Sequence, residues 1–228
     1  MPDPIYLPGG RDAKGTLDVA GADAGGTASV GGATAEACVV ACPPHPQHGG
    51  HRGDRRLRAV ADELGAREID CLRVDYGPWD GGRGERTDAL HAVEWARQRY
   101  ERVALFGYSF GGAVALSAAA HGTDVVAVAA LAPPARVGTA GDADSSDGVG
   151  GIDTVAALSA LPTSLPVGVF YGSRDDVADV GPVVGRARER GATIGEFATD
   201  HFFVGCESEV AAAVVECLRP SLQPDSWR

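Results

Sequence analysis

The stretch "RVALFGYSFGGAVAL" (102–116) joins an apolar run to a run of small residues through a turn that sets one serine among glycines. Arg102 to Tyr108 reads as a buried strand, and the Ala- and Gly-rich run from Phe110 onward as a closely packed helix. Gly107-Tyr108-Ser109-Phe110-Gly111 therefore fits G-x-S-x-G at a strand-to-helix junction. In that setting a sharp turn lifts the serine hydroxyl into a crevice, and the flanking glycines let strand and helix approach. The motif alone is weak in a chain with 32 glycines. A serine is also a poor nucleophile unless a base and an oxyanion site stand beside it, so the rest of the chain must supply both.

Outward from this junction, apolar runs alternate with helical patterns. The runs are "ACVVAC" (37–42), "IDCLRVDY" (69–76), "RVALFGY" (102–108), "VVAVAALAP" (125–133), "PVGVFYG" (166–172) and "TIGEFAT" (193–199). Between them Leu57, Val60, Ala61 and Leu64 recur at helical spacing, as do Ala89, Leu90, Val93 and Ala96, and Val210 to Leu218 repeats the pattern near the end. This predicts an α/β fold: a mostly parallel central sheet with helices on both faces. The first 35 residues are Gly- and Asp-rich with weak alternation, which predicts an antiparallel edge hairpin. At 228 residues, one domain spanning 1–228 is expected. The segment "RVGTAGDADSSDGVGGID" (136–153) is polar and acidic and reads as a mobile surface loop. It leaves the carboxyl end of a strand, where loops of parallel sheets surround a ligand crevice.

Partners for Ser109 follow in the order serine, acid, histidine that this architecture uses. "FYGSRDDVAD" places Asp175 and Asp176 just past one strand, and "FATDHFFVG" places His201 just past the next. A histidine there can take the serine's proton while a carboxylate fixes its tautomer. One oxyanion donor is expected at the backbone N–H of Phe110, the residue after the nucleophile. The second is expected in "ACPPHPQHGGHRGD" (41–54), where Pro46 has no N–H and the donor falls to Gln47. The same loop carries His45, His48 and His51 three apart, followed by Asp54, a pattern that also resembles a metal-ligand cluster. Spacing in a Gly/Pro loop does not enforce a tetrahedron, and neither a metal nor a cofactor is expected.

Composition narrows the partners. Asp and Glu number 31 against 20 Lys and Arg, a net charge of -11, and Lys14 is the one lysine. Such a chain is repelled by nucleic-acid phosphates and anionic lipid surfaces, so the expected partner is a small acyl substrate, with no nucleic acid and no membrane. The acidic, lysine-poor balance resembles that of halophilic proteins, whose carboxylates keep the chain hydrated in concentrated salt. A GC-rich genome accounts for arginine in place of lysine but not for the excess acid. Cys38, Cys42, Cys71, Cys206 and Cys217 form no CxxC pair. In one strand Cys38 and Cys42 would lie about 13 Å apart, too far to bridge, so the five read as buried thiols of a cytoplasmic protein. "MPDPIYLPGG" lacks the basic region and apolar core of a signal peptide, and the longest apolar stretch, Val125 to Pro134, is too short to span a bilayer.

Taken with these motifs, the chain resembles the serine α/β-hydrolases, and within them the small branch related to dienelactone hydrolases and acyl esterases. Members of that branch carry a His-Pro-x-x-Gly-Gly oxyanion loop, present here as His45-Pro46-Gln47-His48-Gly49-Gly50. The resemblance runs on through "DGGRGERTDALHAVEWA" (80–96) and "DHFFVG" (200–205) and covers nearly the whole chain. It implies catalytic roles for Ser109, Asp175 and His201, its Gly-x-x-Asp pattern selecting Asp175 over Asp176. Dienelactone hydrolases usually use a cysteine nucleophile; the serine here moves the expectation towards ordinary esterases. The chain departs from its relatives at "RVDYGPWD" (73–80), where they commonly place Asn-Phe-Arg-Gly, so the resemblance implies no particular substrate. The expected activity is hydrolysis of small acyl esters or thioesters through an acyl-enzyme. The alternatives are a binding protein of this fold without turnover, and acyl transfer or peptide cleavage by the same residues.

Overall fold

The computed structural model describes residues 4–21, 35–138 and 151–223. Along the chain the elements are β1 (Ile5–Tyr6), β2 (Lys14–Asp18), β3 (Ala37–Cys42), a 3-10 turn (Pro46–His48), α1 (Arg55–Gly65), β4 (Asp70–Asp75), α2 (Arg83–Arg97) and β5 (Arg102–Tyr108). They continue with α3 (Phe110–Ala120), β6 (Val128–Leu131), β7 (Arg136–Val137), β8 (Ile152–Asp153), α4 (Thr154–Ala160), β9 (Val167–Gly172), α5 (Gly181–Glu189), β10 (Thr193–Phe197) and α6 (Glu207–Leu222). An eight-stranded sheet has the order β1-β2-β4-β3-β5-β6-β9-β10. From β4 to β10 its neighbours are parallel, while β2 lies antiparallel to β4 and β1 antiparallel to β2. Each of the six apolar runs supplies one parallel strand, and the N-terminal edge pair is antiparallel as the sequence predicts. Residues 22–34 of the predicted hairpin region lie outside the described residues.

The runs are continuously apolar because both faces of the sheet are covered. In β3, Cys38, Val40 and Cys42 face one layer while Ala37, Val39 and Ala41 face the other. The first layer holds α2, α3, α4 and α5, and the second holds α1 and α6. α1 buries the predicted Leu57, Val60, Ala61 and Leu64, and its start is fixed by the Asp54 side chain, which accepts from the Arg56 N–H at 2.9 Å. α3 is buried from Phe110 to Ala119 on every face, which its small residues permit.

Two expectations are corrected. The segment 136–153 is anchored at both ends: Val137 pairs with Ile152 and Arg136 with Asp153 in the antiparallel β7–β8 ribbon. Ile152 is buried in the α2–α5 layer, so an apolar pair inside a polar stretch outweighs its loop composition; residues 139–150 lie outside the described residues. The cysteines are all free, but only Cys38, Cys42 and Cys71 are buried; Cys206 and Cys217 are half-buried on or beside α6. Burial pushes the Cys42 thiol up to about 12, which keeps it uncharged and unreactive at neutral pH although its strand leads into the site. No helix among the described residues is long and apolar enough to cross a membrane.

Candidate active site

Ser109 stands between β5 and α3 at φ 54 and ψ -122, a backbone state that non-glycine residues rarely adopt. The turn is held by the Ser109 N–H donating to Leu131 O at 2.7 Å and by Ser109 O accepting from the Gly112 N–H at 2.9 Å. Glycine is required on both sides. A Cβ at Gly107 would sit 2.0 Å from Gly111 O, and one at Gly111 would sit 2.2 Å from Cys42 O. The close approach that G-x-S-x-G implies is thus a backbone-to-backbone contact with no room for a methyl group.

The acid and the histidine arrive from the neighbouring strand ends. A Cβ at Gly172 would lie 2.6 Å from Thr199 O and 2.7 Å from Asp200 O, so the loops after β9 and β10 run against each other. Asp175 Oδ1 accepts from the N–H groups of Val177 at 3.0 Å and Ala178 at 2.9 Å, which leaves Oδ2 aimed at His201 Nδ1, 2.7 Å away. On the other side of the ring His201 Nε2 lies 3.0 Å from Ser109 Oγ. The Asp175 side chain is fully buried, whereas Asp176 is exposed. The structure therefore brings together Ser109, His201 and Asp175, in that order, and leaves Asp176 aside.

Two residues not singled out in the sequence hold the histidine loop from the α1–α6 side. The Tyr108 hydroxyl donates to His201 O at 3.0 Å, and burial pushes that hydroxyl up to about 12, so it remains a donor at neutral pH. The Arg56 guanidinium lies 4.4 Å from the Tyr108 ring centroid, pairs with Asp54 at 2.6 Å and donates to Phe202 O at 3.4 Å. The only signal available beforehand was the tyrosine's place beside the serine, since its partner is 93 residues away.

In the loop after β3 the Gln47 N–H is engaged within its own turn. Gln47 is exposed, and its N–H donates to His45 Nδ1 at 3.3 Å, capping the 3-10 turn. The N–H groups of His48 and Gly50 both donate to His45 O, at 3.0 Å each, and that of Gly49 donates to Pro46 O at 3.2 Å. Pro43, Pro44 and Pro46 have none to give. Among the described residues of this loop's first turn, His45 is the one whose N–H donates to no protein acceptor. Phe110 is the first residue of α3, where a helix leaves its N–H without an internal acceptor.

The histidines of this loop do not converge on one point. His45 and His48 stack with centroids 4.5 Å apart, His51 Nδ1 accepts from the Gly53 N–H at 3.0 Å, and Asp54 is engaged at the start of α1. Among the described residues no group of three or more His, Cys, Asp or Glu side chains is placed to hold a metal ion.

No protein-family model matches the sequence, and no curated protein matches it significantly. Solved structures do match. An α/β serine hydrolase without a lid from Xanthomonas campestris superposes with a TM-score of 0.71 at 23% identity, over 95% of this chain and 93% of that one. A dienelactone hydrolase from Anabaena variabilis gives a TM-score of 0.69 at 19% identity, over 98% of each chain. An esterase from Pyrococcus furiosus gives 0.72 at 14% identity, over 96% of this chain and 91% of that one. With its sheet order, its strained serine turn and these neighbours together, the chain has the fold of the α/β serine hydrolases.

Proposed function

We propose that the chain is a serine hydrolase that cleaves small acyl esters or thioesters through an acyl-enzyme. The observation that carries this is the continuous line Asp175 Oδ2, His201 Nδ1, His201 Nε2, Ser109 Oγ, with gaps of 2.7 and 3.0 Å. A carboxylate only accepts, so Nδ1 carries the ring proton and Nε2 is free to accept one. Ser109 Oγ attacks the acyl carbonyl as its proton passes to Nε2; the bond from the acyl carbon to the leaving oxygen, or sulfur in a thioester, then breaks, and Nε2 returns the proton to that atom. Water repeats the sequence in reverse and releases the acid. The oxyanion rests on the N–H groups of Phe110 and, in place of Gln47, of His45. The neighbours named as serine hydrolases and an esterase support the reading.

The test is turnover of p-nitrophenyl acetate and butyrate by the purified chain. Hydrolysis is expected without added metal and unchanged by EDTA, because every step uses protein groups. Activity that vanishes with EDTA would contradict the mechanism.

A further inference from the structure

We propose that Trp79 and His45 form the acyl-group subsite, and that this subsite takes flat, uncharged, π-bearing acyl groups. The inference rests on the ester-hydrolase reading and names the substrate class of the same site. The strand order sets the direction of the substrate. Ser109 follows β5; the loops after β3 and β4 lie to one side of it, and those after β9 and β10, with Asp175 and His201, to the other. The leaving group receives its proton from His201 and so departs on the β9–β10 side. The acyl group, still bonded to Ser109, is left on the side of the β3 and β4 loops.

Aromatic rings meet there. The His45 ring centroid is 4.4 Å from that of Trp79 and 4.9 Å from that of Phe110, and Trp79 lies 5.5 Å from Phe110, the residue next to the nucleophile. Phe110 is buried as the floor, while His45 and Trp79 are only half-buried. At these separations the three rings already pack against one another, and it is the half-buried faces of His45 and Trp79 that are left to meet one more flat ring.

The loop that carries Trp79 is fixed on both sides of it. Glu85, fully buried at the start of α2, accepts from the N–H groups of Asp80 and Gly82 at 2.8 Å each. Asp88, 1% exposed, accepts from the Gly77 N–H at 2.9 Å and from Arg11 Nε at 2.9 Å, and Arg11 also donates to Pro78 O at 2.6 Å. Two buried carboxylates thus hold the backbone around one tryptophan, Asp88 partly through Arg11, and a wall held this way loses little freedom when a ligand arrives. His45 Nδ1 accepts from Gln47, and burial, together with the neighbouring His48, holds the imidazole below its ordinary range. This favours neutral acyl groups over carboxylate-bearing ones.

The experiment compares kcat/KM for p-nitrophenyl acetate, benzoate and cyclohexanecarboxylate, each divided by its spontaneous hydrolysis rate, in the wild type and in Trp79→Ala and Trp79→Phe. The leaving group is common to all three, and ratios within one preparation are independent of the fraction folded. The wild type should favour benzoate over the equally bulky but puckered cyclohexanecarboxylate by roughly 3- to 10-fold, the size of one aromatic contact. Trp79→Ala should erase that preference and lower the benzoate-to-acetate ratio by a similar factor, and Trp79→Phe should restore most of it. Turnover of acetate with no preference for the flat ring, or a Trp79→Ala loss equal for acetate and benzoate, overturns the subsite alone. A wild type inert to acetate and unlabelled by a fluorophosphonate overturns the hydrolase reading and the subsite with it.

Discussion

Replacing Ser109 with alanine is expected to lower ester turnover by about 10⁶, the loss that follows removal of a serine nucleophile from an otherwise intact protease triad. In the proposed mechanism Oγ, 3.0 Å from His201 Nε2, forms the bond to the acyl carbon, and the buried Cys42, held as an uncharged thiol, offers no substitute for it. The same variant should keep its fold. The elbow is maintained by main-chain bonds from Ser109 N to Leu131 O and from Gly112 N to Ser109 O, both of which alanine retains. A thermal midpoint within about 2 °C of wild type is therefore expected, since the change deletes one half-exposed hydroxyl. Steady-state kinetics alongside a thermal melt separate the two effects, and a variant that retains wild-type turnover would exclude Ser109 as the nucleophile.

Asp175→Asn is expected to cost about 10⁴ in kcat, by analogy with the same exchange in a serine protease. The reason is the tautomer. The asparagine carbonyl can keep accepting from the N–H groups of Val177 and Ala178, which turns its NH₂ towards His201 Nδ1. Nδ1 must then accept, the ring proton moves to Nε2, and Nε2 presents a donor to Ser109 Oγ where an acceptor is needed. Asp176→Asn is the matched control: its side chain is exposed, and turnover within about two-fold of wild type is expected for a surface change that alters no contact at the site. Comparable losses in the two variants would show that Asp175 has no special part.

The sheet was legible because its strands are buried on both faces, so that each appears as an unbroken apolar run bounded by polar or glycine residues. Ser109, Asp175 and His201 were legible because a parallel sheet collects its strand ends along one edge, and chain order alone marks those ends. Lateral order was not. Nothing in the sequence says that β4 lies next to β3 and brings Trp79 against His45, or that Tyr108 reaches the carbonyl of His201. The proposed second oxyanion donor was half legible. Three prolines leave only His45 and Gln47 with an N–H between Pro43 and Gln47, but the choice between them depends on the imidazole folding back to cap its own turn, a side-chain conformation that spacing does not encode. The β7–β8 ribbon was hidden because Val137 and Ile152 are single apolar residues in a stretch otherwise rich in Gly and Asp.

Labelling with a fluorophosphonate, followed by mass mapping of the modified residue, tests the proposed nucleophile most directly. The reagent phosphonylates a serine only where a base accepts its proton and donors stabilise the oxygen that gains charge. A single adduct on Ser109, formed by the wild type and absent from Ser109→Ala, is the expected result. An unlabelled wild type whose fold is intact, or an adduct on another residue with Ser109 left free, would contradict it.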